Sequence, residues 1–136
     1  MTSSRAEALA PPRGGTPPPD RVAGDDGAPI FLAPLAYEVA RRHWDEFPDE
    51  RERYGDAGFE WCVHDTQYLL GWAGAGDGVL SESVTWLGGV LAARGYPAER
   101  LGRSLELAAD VVAERHGAGG ATLAATLRAG AASFRV

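Results

Sequence analysis

Cys62 and Asp65 stand three residues apart in the run Trp61-Cys62-Val63-His64-Asp65. On a helix that spacing puts a thiol and a carboxylate on one side, within reach of a single ligand. Trp61, Asp65, Tyr68 and Trp72 repeat at i, i+4, i+7 and i+11. Such an aromatic stripe reads as core, as a helix interface or as a ligand box. A carboxylate among aromatics needs a partner, and Arg41, Arg42 and Arg94 are the candidates. Cys62, between Phe59 and Thr66, reads most simply as a small core residue.

Other groups offer less chemistry. His43, His64 and His116 lie 21 and 52 residues apart, which supplies no i, i+4 pair of metal ligands. No metal site is expected, and no haem pair stands out. Ser81 and Ser83 have no assigned base, so no catalytic residue is identified and an enzyme is not expected. The glycines between 71 and 78 suggest a phosphate cradle only if a strand precedes them, and a turn is the simpler reading. Asp45-Glu46 and Asp49-Glu50-Arg51-Glu52-Arg53 read as solvated helix ends. A helix-turn-helix outline surrounds Gly95-Tyr96-Pro97. Its second helix sets Arg100, Arg103 and Arg115 against Glu99, Glu106, Asp110 and Glu114, a net negative face unsuited to DNA.

The elements that must position these groups are helical. Pro34 opens LAYEVARRHW, and Pro48, followed by Asp49 and Glu50, opens a short helix ending near Tyr54 and Gly55. Asp56 caps the next, with Phe59, Cys62, Val63, Thr66, Leu69, Leu70 and Ala73 on its apolar face. Gly74 to Gly78 break it. Leu80, Val84, Leu87 and Leu91 define a fourth helix, stopped by Arg94 and Gly95. Pro97 opens a fifth with Leu101, Leu105, Ala108 and Val112, stopped near His116 and Gly117, and a last spans about Ala121 to Phe134. No sustained period-two alternation is present, so strands are not expected. Helical glycines at 71, 74, 88, 89 and 102 each cost about 1 kcal/mol, which points to close helix crossing at Gly88 and Gly89.

Residues 1–29 hold six of nine prolines and no aromatic side chain, so they read as a disordered tail with nothing to dock. Residues 30–136 form the expected domain. The chain carries 136 residues and a net charge of −6 from 19 acids and 13 bases. Every base is Arg. An acidic chain of this kind is expected to bind neither nucleic acid nor an anionic membrane without specificity. One cysteine excludes an intramolecular disulfide. No apolar run approaches the ~18 residues of a membrane helix, and no secretion signal is evident. A cytoplasmic location is the expectation.

The run CVHD (Cys62 to Asp65), with Gly76-Asp77, Trp86-Leu87 and Arg94-Gly95-Tyr96-Pro97 in order, resembles the central region of the phycobiliproteins. The likeness covers about residues 59–112. It implies an all-α, globin-like bundle of five to six helices. It also implies a tetrapyrrole held by a thioether at Cys62 and by Asp65, and with His64, Tyr68 and Trp72 beside them these are the candidate ligand-binding residues. His64 occupies the place where that family usually carries Arg, and the Cys62–Asp77 interval is about one helical turn shorter. A looser likeness is to small helical modules that accompany cobalamin-binding or stress-sensing domains.

The expected function is a non-enzymatic regulatory, sensory or protein-interaction module without a cofactor. The alternative is a tetrapyrrole-binding sensor for bilin, haem or a cobalamin-linked signal. A small core cannot bury both sides of two Trp-bearing helices, so a homodimer or protein partner is expected, with Trp72 and Trp86 in the interface.

Overall fold

The computed structural model describes residues 17–134. These residues are mostly helical, preceded by a short hairpin. Strand β1 spans Arg21–Ala23 and β2 spans Pro29–Phe31. Helices follow as α1 (Leu32–Glu46), α2 (Pro48–Ala75), α3 (Asp77–Ala93) and α4 (Glu99–His116), then a 3-10 turn over Gly117–Gly120 and α5 (Ala121–Ala132).

Helix α4 is the axis of the core. Leu101, Leu105, Leu107, Ala108, Ala109, Val111 and Val112 are all buried, so it is covered on most of its circumference. Leu35, Ala36 and Val39 of α1 pack with Leu69 and Leu70 of α2, Leu80 and Val84 of α3, and Leu123 and Leu127 of α5 in one cluster around it. The helix stops fall at glycines. Gly95 at φ 80° and Gly117 at φ 51° follow α3 and α4, in the left-handed region that a side chain disfavours. Helix α2 consists of two helical segments that meet at a kink. Gly55, at φ 63° and ψ −158°, interrupts it where the sequence separates two helices.

The hairpin revises two expectations. Strands were not expected, and residues 20–29 were assigned to a disordered tail. Arg21 pairs with Phe31, Val22 with Ile30 and Ala23 with Pro29. Ile30 is buried and Val22 packs on the core, against Gly74 of α2. The turn is tied to the other end of the chain: the Asp25 N–H donates to the Gly119 carbonyl at 2.8 Å, and the Asp25 carboxylate accepts from the Thr122 N–H at 2.9 Å. Those bonds to Thr122 hold the Asp25 carboxyl below its usual range. A carboxylate at an otherwise uncapped helix start suits the positive end of the helix dipole. Three-residue strands are too short to show alternation, and one inward side chain on each suffices here. Residues 1–16 of the expected tail lie outside the described residues.

The close helix approaches also lie elsewhere than expected. A Cβ at Gly102 would lie 2.8 Å from Phe134 Cβ, and one at Gly130 would lie 2.8 Å from Leu80 Cδ2. At Gly89 nothing stands within 4 Å, and at Gly88 the Phe134 ring is at ordinary contact distance. The α4–α5 and α3–α5 packing uses the small residues, while Gly89 faces outward.

Candidate functional site

The turn from α1 into α2 builds the polar centre of the molecule. Phe47 ends α1, and Pro48 at the first turn of α2 starts the next helix at once. This reversal folds Glu50 back beneath His43. Glu50 is only 4% exposed and His43 only 1%, against the expectation that the Asp49–Arg53 run is a solvated helix end. A buried carboxylate survives only with donors around it. Glu50 has three. Tyr96 Oη donates to its carboxylate at 2.9 Å, Arg100 Nη1 donates at 2.8 Å, and His43 Nε2 lies 3.0 Å from Oε2. Burial pushes the Glu50 carboxyl up, but His43, Arg100 and Tyr96 together outweigh it and leave the carboxyl below its ordinary value.

The network extends on both sides. Ser104 Oγ lies 3.2 Å from His43 Nδ1, so His43 is satisfied when its Nε2–H donates to Glu50 and its Nδ1 accepts from the Ser104 hydroxyl. Arg100 also reaches Asp49 at 2.8 Å, with its guanidinium 4.1 Å from the Phe47 ring centroid. The Tyr96 phenol is pushed up by burial first and by the Glu50 charge next, so it stays a donor. Arg103 pairs with Glu46. Two of the α4 arginines that a DNA-reading helix would present are thus turned onto carboxylates of α1 and α2.

Serine, imidazole and carboxylate in sequence is the order of a nucleophile, its base and an orienting acid. Ser104, however, lies inside α4, where its own N–H is committed to the helix. The geometry positions His43 and Tyr96; it brings no backbone donors to an oxyanion.

Beside this centre lies a partly open cavity of about 400 Å³. Trp44 of α1 and Tyr54, Gly58 and Trp61 of α2 form one wall, and Leu87 and Leu91 of α3 with Leu101 of α4 form another. The floor is polar, with His43, Glu50, Tyr96 and Ser104, while Arg53 and Arg94 are exposed at the edge. The cavity's α2 lining comes from both sides of the Gly55 kink, with Glu50, Arg53 and Tyr54 before it and Gly58, Trp61 and Cys62 after.

Of the sequence-derived candidates, Cys62 and Asp65 line this cavity. His64, Tyr68 and Trp72 do not. They form a ladder of rings with Trp61 along α2: Trp61–His64 at 6.1 Å, His64–Tyr68 at 5.0 Å and Tyr68–Trp72 at 5.6 Å between centroids. Trp61 is 66% exposed, whereas Trp72 and Trp86 are half-buried and pack against the core. Trp86 Nε1 is a buried donor with no partner among the described residues.

Cys62 and Asp65 differ in environment from free side chains. Burial, then the charges of Glu50 and Asp65, push the Cys62 thiol up to about 12. Burial pushes the Asp65 carboxyl up to about 6, against the weaker opposing attraction of His64 and Arg94. Of the three arginines considered as its partner, Arg94 is the one that acts on it. Arg41 is held by Glu38 and Asp45, and Arg42 by Glu38 and Glu114. Among the described residues no group of three or more His, Cys, Asp or Glu could hold a metal ion, and no helix is long and apolar enough to cross a membrane.

Sequence reasoning missed Glu50, Tyr96, Arg100 and Ser104. His43 and Glu50 are separated by seven residues and a helix reversal, a relation with no periodic signature. Comparison with known protein families, with curated proteins and with solved structures finds no match.

Proposed function

We propose that this chain is a small regulatory module of the cytoplasm that holds a ligand in the cavity beside Glu50 and transmits its occupancy to itself or a protein partner, without transforming it. The observation that carries this reading is the cavity itself. Its volume of about 400 Å³ falls within the range of small-molecule sites, and its walls combine aromatic and aliphatic groups with a few converging polar ones. The placement of Ser104 inside α4 favours binding over acyl transfer. The order and stops of the helices are compatible with a globin-like relation, which stays part of this reading. Exposed Trp61, rather than half-buried Trp72 or Trp86, offers the better contact for a second copy or a partner.

A tetrapyrrole sensor is the second reading, and one observation favours it: Cys62 and Asp65 share the cavity wall. The raised thiol argues for a non-covalent complex, since the thiolate is the nucleophile. Both ring nitrogens of His43 are engaged, which leaves it poorly placed as a haem ligand. Absorbance spectra of the purified protein with added biliverdin, haem or cobalamin separate the two readings. The first reading expects no shifted band and no covalent adduct by intact mass. A saturable band shift lost in Asp65→Asn establishes the second.

A further inference from the structure

The polar groups of the cavity are unequal, and the inequality specifies what fits. Glu50 is surrounded by Tyr96, Arg100 and His43, so its acceptor capacity is used by the protein. The Ser104 hydroxyl is engaged with His43, and the Thr66 hydroxyl donates to the Cys62 carbonyl at 2.7 Å. Asp65 is different: among the described residues no side chain or backbone group donates a hydrogen bond to it, and its neighbours His64 and Arg94 act through longer-range attraction. Asp65 thus lines an aromatic-walled space, partly buried, with its acceptor capacity unused by the protein. Partial burial already disfavours the charged carboxylate, and a ligand that supplies N–H donors offsets that cost.

We propose that the cavity takes a flat heteroaromatic ligand whose edge presents two adjacent N–H donors, an amidine or aminopyrimidine type of edge, with Asp65 as the acceptor and Trp61 as the stacking face. A planar pair of N–H groups matches a carboxylate bidentately, as a guanidinium does. Trp61 lines the cavity while 66% exposed, so a flat ring can cover it and bury area that the protein leaves open. An anionic ligand finds only Arg53 and Arg94, both exposed and weakened by solvent; Arg53 also lies over the Tyr54 ring at 5.4 Å. A purely aliphatic ligand leaves Asp65 without donors.

This inference rests on the ligand-binding reading, and the experiment separates the two. The neutral fluorophore N-phenyl-1-naphthylamine reports whether the cavity accepts an apolar ring at all. Benzamidine, benzylamine and benzoate are then tested as competitors. The expected order is benzamidine well ahead of benzylamine, with benzoate ineffective. Asp65→Asn should weaken benzamidine by about tenfold or more and leave the fluorophore bound. Trp61→Ala, an exposed position that leaves the fold intact, should weaken benzamidine too. Benzamidine binding should tighten as pH rises through about 6, and only in chains that keep Asp65. His43, Glu50, Arg53, His64, Arg94 and Tyr96 also face or flank the site, and the asparagine variant removes their contribution from the comparison. If the fluorophore binds and benzamidine does not displace it, or displaces it equally from Asp65→Asn, the ligand class is wrong and the cavity reading stands. If the fluorophore does not bind either, both fall.

Discussion

Two carboxylates of opposite character, Glu50 and Asp65, define what single side chains do here. Glu50 is buried with its donors and its carboxyl is held low, so its contribution is present above the ordinary carboxylate range and is lost as pH falls through its depressed value. Removing its charge leaves Arg100 and His43 facing a neutral amide. Glu50→Gln should therefore cost about 3 kcal/mol in urea unfolding near neutral pH, with the deficit shrinking in acid. Asp65 has the opposite sign. Its folded value of about 6 lies above the 3.8 of an unperturbed Asp, so the folded state favours the protonated form, and stability is lost as pH rises through about 6. Asp65→Asn should gain about 2 kcal/mol at neutral pH and nothing at low pH. Equal stabilities at both pH values would show that Asp65 is solvated. A partner for Asp65 was expected from the sequence, with Arg94 as a candidate; Arg94 acts on it only through longer-range attraction, with no hydrogen bond between them. The burial of Glu50 was not legible, because charge runs before a helix look alike whether or not the preceding turn folds them inward.

Element boundaries were the most legible part. The Gly55 bend, the Arg94-Gly95 stop and the His116-Gly117 stop all fall where local chemistry puts them, since a glycine after the last turn encodes its own conformation. The hairpin was not legible, because its order comes from docking rather than from its own pattern. Removal of residues 1–29, expected from sequence to be harmless, should instead cost roughly 1–2 kcal/mol through exposure of the surface under Val22; removal of residues 1–16 alone provides the comparison. Thermal melts of both deletions decide between the two views. Glycines divide in the same way. Gly89→Ala, with open space around it, should stabilise α3 by about 0.5–1 kcal/mol. Gly102→Ala should destabilise, because the new methyl meets Phe134 Cβ. If both variants melt alike, Phe134, just beyond α5, is not packed against α4 as described.

For the whole molecule, a central helix with neighbours bent around it leaves one side lined by rings and titratable groups. The sequence placed Cys62 and Asp65 together through their i, i+3 spacing, and they do share the cavity wall. It joined them to His64, Tyr68 and Trp72, which the helix carries round to a separate ladder of rings. Periodicity reports which residues lie on one stripe, and it is silent on where neighbouring helices leave space. The central claim is that this space is a ligand site. Leu91 is half-buried on its wall, and Leu91→Trp would fill the cavity from the α3 side. The most direct measurement is a fluorescence titration of wild type and Leu91→Trp with N-phenyl-1-naphthylamine, alongside thermal melts. A ligand site predicts saturable binding of one probe per wild-type chain and loss of that binding in Leu91→Trp at unchanged or higher melting temperature. Equal binding by the two proteins, or no binding by wild type, would contradict it.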